Sequence, residues 1–141
     1  MKKTNLLKIA NEVRLKKGTS YNLVTSEVNP NNGFMVALPG FELKVAEGNL
    51  ELFIAEYVKQ HAYLLSNPER WFGIWFDGTD YIFDVSELIE DKAEAIEAGI
   101  LREQIAIWDN ASNDEIRLPE PQRAGTETQK REYARLKSKQ I

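Results

Sequence analysis

WFGIWFDGTDYIFDVS, residues 71–86, decides how the chain reads. Two runs rich in aromatic and β-branched residues, 71–76 and 81–86, flank Asp77-Gly78-Thr79-Asp80. Such side chains suit a pleated, half-buried surface, and Asp-Gly supplies the positive-φ residue that a tight hairpin turn needs. The stretch predicts an antiparallel hairpin. If Phe76 faces Tyr81, alternation puts Phe72, Ile74, Phe76, Tyr81, Phe83 and Val85 on one face and Trp71, Gly73, Trp75, Ile82, Asp84 and Ser86 on the other. The first set is apolar throughout and reads as core. The second mixes two tryptophans with a carboxylate where a solvated strand would be polar.

Upstream, Leu50, Phe53, Ile54, Tyr57, Val58, His61, Leu64 and Leu65 recur at helical spacing from Asn49, and Asn67-Pro68 ends the pattern. A shorter amphipathic helix is expected from a Thr4 cap through Leu6, Ile9, Ala10 and Val13, stopping at Gly18. Residues 19–28 and 34–38, separated by Asn29-Pro30-Asn31-Asn32-Gly33, read as a second hairpin, with 41–45 continuing its second strand beyond Pro39-Gly40. Downstream, Asp91 and Glu94 resemble a capping box before a helix carrying Ala93, Ile96, Ile100 and Leu101, against which interior Gly99 counts about 1 kcal/mol. Residues 105–108 read as a buried strand and 115–118 as a brief final one, before Pro119 and Pro121. Hairpins alternating with helices predict an α+β fold, an antiparallel sheet built from β-hairpins and covered by two to three helices on one face. The expected domain is 1–118, followed by a basic C-terminal arm, 119–141, in which Thr126 and Gln129 could cap a short helix and Lys130, Arg131, Arg135 and Lys137 carry charge.

The chain has 141 residues, 43% of them hydrophobic, enough for one domain with a real core. There is no cysteine, which excludes disulfides, thiol nucleophiles and cysteine-ligated metals. The net charge of −4 is unevenly spread. Residues 1–17 sum to +5 and 122–141 to +4, so 18–121 carry −13, densest over 77–97. An acidic body repels nucleic acid and attracts basic surfaces, so direct nucleic-acid contact is expected only at the basic ends. No apolar run reaches the roughly 20 residues of a membrane helix, and 1–13 lack a signal-peptide h-region, so the expectation is a cytoplasmic protein with no membrane partner.

Catalytic patterns are thin. His61, the single histidine, lies on the apolar stripe of its helix, and no nucleophile stands beside it in a recognisable motif. Asp77, Asp80 and Asp84 lack the spacing of a calcium loop, and the glycines form no phosphate cradle. No metal and no cofactor is expected. The better lead is the second hairpin face, because tryptophan dominates interface hot spots. Trp71, Trp75, Asp77, Asp80, Asp84 and Glu87 are the candidate partner-binding residues. The alternative is that helix 1 or the C-terminal strands cover this face.

Residues 71–109 resemble small uncharacterised proteins of tailed bacteriophages and prophages, in which a G-x-W-x-D-G-x-x-Y-x-D-V-S hairpin precedes a helix and a Q-x-A-I-[FW]-D strand. Here these are Gly73, Trp75, Asp77, Gly78, Tyr81, Asp84, Val85 and Ser86, then Gln104, Ala106, Ile107, Trp108 and Asp109. Residues 29–40 are similar to the same proteins' N-terminal hairpin. The resemblance covers about half of the chain and implies phage provenance without attaching any chemistry. A non-enzymatic protein acting on a host defence or replication protein is the expectation, in the infected cell's cytoplasm. A virion or assembly component and a small enzyme using His61 or the 77–87 carboxylates are the alternatives.

Overall fold

A computed structural model describes residues 2–46 and 48–119. The elements are α1 (Lys3–Lys16), β1 (Gly18–Tyr21), β2 (Phe34–Ala37), β3 (Leu43–Ala46), α2 (Leu50–Gln60), α3 (Ala62–Leu65), β4 (Arg70–Phe76), β5 (Asp80–Ile89), α4 (Lys92–Leu101), β6 (Ala106–Asp109) and β7 (Asp114–Arg117). The seven strands form one antiparallel sheet in the order β1-β4-β5-β2-β6-β7, with β3 also on β5. The α+β fold stands as expected.

The β4–β5 hairpin adopts the register read from the sequence, Phe76 opposite Tyr81 and Trp71 opposite Ser86. Asp77 closes its turn by accepting hydrogen bonds at Oδ1 from the Thr79 and Asp80 amides, 2.8 and 2.7 Å. β5 is the spine of the sheet because its ten residues are long enough to pair with β4 along one edge and with β3 and then β2 along the other. Leu38 N still donates to Val85 O, after which the chain leaves the sheet at Pro39 and rejoins it with Leu43 opposite Phe83. Residues 39–42 thus detour beside Asp84.

All four helices lie on one face. Ile9, Ala10 and Val13 of α1, Leu50, Ile54, Tyr57 and Val58 of α2 and Leu65 of α3 bury against Phe72, Ile74, Phe83 and Val85. Ala95 and Ala98 of α4 bury against Val36 and Ile107, which belong to that same face because Val36 stands opposite Glu87, two residues on from Val85. Gly99 is required here: a Cβ would lie 2.6 Å from Leu118 Cδ1 and 2.8 Å from Ile107 Cγ2. Its cost in helix propensity is offset by close seating of α4 on β6.

Four local expectations give way. α1 begins at Lys3 with no side-chain cap, so Thr4 sits inside the helix. The long helix breaks at His61, which ends α2 and starts α3. The hairpin expected from 19–28 and 34–38 does not form, since β1 pairs with β4 and β2 with β5 and β6. The Asn22 side chain ends β1 instead, accepting from the Val24 and Thr25 amides and donating to Pro68 O at 2.7 Å. In β6 only Ile107 is buried, while Ile105 and Trp108 are exposed. Residues 120–141, which include Lys130, Arg131, Arg135 and Lys137, lie outside the described residues.

Candidate functional site

The register sorts the second face into rows. Gly18, Trp75, Ile82 and Lys44 stand side by side across β1, β4, β5 and β3. Ser20, Gly73 and Asp84 form the next row, then Trp71, Ser86 and Ala37. Leu88, Met35 and Trp108 complete the face. Among the described residues no helix covers it, because α1 packs on the other side and β6–β7 widen the sheet.

Exposure along the face is graded. Trp71 is 4% exposed and Ile82 5%, whereas Trp75 is 47% exposed and Trp108 40%. The link from β1 to β2 accounts for part of this gradient. Asn29 N donates to Ser20 O at the outer edge of β1, and Gly33 lies against the Leu88 side chain beyond β5, so 29–33 must run past the Trp71 end of the sheet.

Asp84 is the chemically unusual member. Its carboxyl rests directly on Gly73, where a Cβ would lie 2.6 Å from Oδ1, so no other residue fits at 73 without displacing it. Ser86 Oγ donates to Oδ1 at 3.3 Å. Among the described residues no basic nitrogen reaches ion-pair distance of Asp84, and Lys44 is directed to Asp77 Oδ2 at 3.8 Å. Burial pushes the carboxyl up to about 6; the Ser86 bond opposes the rise and Glu42, on the 39–42 detour, adds to it. Asp77 is held below the usual carboxylate range by the Asp80 and Thr79 amides.

The candidate residues therefore separate. Trp75, Asp80 and Asp84 share the helix-free face, with Asp77 at its turn. Trp71 is on this face but buried, and its indole Nε1 makes no hydrogen bond among the described residues. Glu87 points to the helix side, where Arg102 Nη2 donates to its Oε1 at 2.9 Å and Arg102 Nη1 to Val36 O at 3.4 Å. It is a packing residue of α4, and β-strand parity alone separates it from Asp84. Trp108 and Glu42 are additions. Strand alternation around buried Ile107 is the signal that would have placed Trp108 outward, whereas Glu42 approaches Asp84 only through the detour.

His61 stacks edge-on against Tyr57 and Phe41, ring centroids 4.5 and 5.5 Å apart, with Nδ1 buried and unbonded. Tyr57 Oη donates to Phe41 O at 2.7 Å, and burial raises its pKa. The ring packs among aromatic neighbours, and the Tyr57 bond holds Phe41, the residue before Glu42 in the detour. No group of three or more His, Asp or Glu placed to hold a metal ion occurs among the described residues, and none of their helices is long and apolar enough to cross a membrane. No family model matches the chain, and neither the curated proteins nor the solved structures contain a significant match to it.

Proposed function

We propose that this protein acts by binding another protein, and that the helix-free face of its sheet, centred on Trp75, is the docking surface for a basic partner. The observation that carries the reading is the one-sided placement of the helices. It leaves a half-exposed tryptophan between buried Ile82 and a run of carboxylates, Asp77, Asp80, Asp84 and Glu42, with Lys44 as the near cation. A large apolar anchor inside a predominantly acidic rim is the composition of a hot spot with electrostatic steering. The resemblance to phage proteins makes a host protein in the bacterial cytoplasm the partner class. Inhibition would follow from competition for a basic groove and would weaken with salt.

The test is site-specific photocrosslinking in a bacterial host, with the crosslinker in place of Trp75 or of Tyr63, which is more exposed still and lies on the helix side. Adducts with one basic protein from position 75 and none from position 63 are expected. Equal labelling from both positions, or adducts from 63 alone, overturns the reading. Recovery of the chain in purified particles, crosslinked to a capsid component, would transfer it to the virion alternative.

A further inference from the structure

We propose that the notch formed by Gly73, Asp84 and Ser86 beside Trp75 is a receptor for one arginine side chain of a peptide. The inference rests on the docking reading above and names the group that the face would recognise.

The notch is built from the backbone up. Gly73 sits between Trp71 and Trp75 on β4, so the row between the two indoles has no side chain on that strand. The space goes to the Asp84 carboxyl, which lies over the glycine and is steadied by Ser86. On the same row β1 contributes only the small Ser20. Trp75 and Asp84 are diagonal neighbours across β4 and β5, a relation that leaves Cα atoms about 7–8 Å apart and within reach of an aromatic ring.

Two observations select an arginine. First, Asp84 is partly open to solvent, yet among the described residues no cation stands against it to offset the burial that raises its pKa. Second, Trp75 is half-exposed and diagonal to that carboxyl, and guanidinium is the cation that both stacks on an aromatic plane and forks onto a carboxylate. An arginine side chain therefore supplies the missing cation and an aromatic contact together, where an ammonium or a metal ion supplies charge alone.

The experiment is an amide and indole NMR titration of the full chain with acetyl-Gly-Arg-Gly-amide as the probe, at pH 7.5 and low salt. Saturable shifts at the Gly73, Asp84 and Ser86 amides and at the Trp71 and Trp75 indoles are expected. The citrulline analogue should give none, and the lysine analogue should bind at least threefold more weakly. Asp84→Asn should weaken the arginine peptide at least fivefold with its other resonances in place, and Asp80→Asn less than twofold. Shifts confined to the Asp77–Asp80 turn, equal binding of citrulline, or indifference to Asp84→Asn overturns the inference. If crosslinks form from position 75 while the notch ignores arginine, the docking face stands and the arginine receptor falls. If the notch responds while position 75 never crosslinks, the docking function falls.

Discussion

Replacing Asp84 by Asn should make the protein more stable at neutral pH. Burial lifts the carboxyl from an ordinary 3.8 to about 6 in the folded state. The folded protein then holds this proton more tightly than the unfolded chain, so between about pH 4 and pH 6 it carries more protons and stability falls as pH rises. The favourable contribution is complete below the unfolded value and gone above the folded one. A shift of roughly two units corresponds to about 3 kcal/mol. Asn is nearly isosteric, can still accept from Ser86 and has no charge to desolvate. Urea unfolding at pH 7.5 should therefore show Asp84→Asn more stable than the wild type by about 2–3 kcal/mol, with the difference shrinking below about 1 kcal/mol at pH 4. A variant less stable at pH 7.5, or a gap independent of pH, refutes the claim that an uncompensated carboxylate is maintained at position 84. The stabilised variant should also be the one that loses arginine binding, the pattern of a site kept for function against stability.

Asn22→Ala should cost about 2–3 kcal/mol in urea unfolding, because two loop amides and Pro68 O lose their partner in a side chain that is almost wholly buried. Arg102→Ala should cost about 2 kcal/mol and loosen α4, seen as faster hydrogen exchange in 92–101, since Glu87 and Val36 O are left facing an apolar layer. Gly99→Ala should lower the melting temperature although alanine is the better helix former, because the overlap with Leu118 and Ile107 outweighs the roughly 1 kcal/mol propensity gain.

The hairpin at 71–86 was legible to the residue because turn chemistry and two-residue alternation act locally and agree with each other. The same alternation separated the helix-side residues from Trp71 and Trp75 without any knowledge of the helices, although it does not tell buried Trp71 from half-exposed Trp75. Topology beyond the hairpin was not legible. The segment 19–38 carries good strand and turn signals, yet its two strands part because the ten-residue β5 offers pairing edge for both β2 and β3 while the Asn22 side chain satisfies the backbone where β1 ends. Glu87 stands close to Asp84 in sequence, yet the odd-numbered side of β5 on which it lies faces α4 and Arg102. Gly99 looked like a flaw in a helix until its neighbours Leu118 and Ile107 were in place. For the site, Trp75 and Asp84 could be named from the sequence. The exposure of one, the isolation of the other and the approach of Glu42 depend on which face the helices take and on where the 39–42 detour leaves β5.

If the helix-free face docks a basic protein through Trp75, affinity must depend on that side chain. The decisive quantity is the dissociation constant of the protein crosslinked at position 75, for the wild type, Trp75→Ala and Tyr63→Ala, at about 50 and 300 mM salt. At least a tenfold loss is expected for Trp75→Ala, about 1.4 kcal/mol or more, with less than twofold for Tyr63→Ala and weaker binding at the higher salt. Binding unchanged by Trp75→Ala, or lost on Tyr63→Ala, would contradict it.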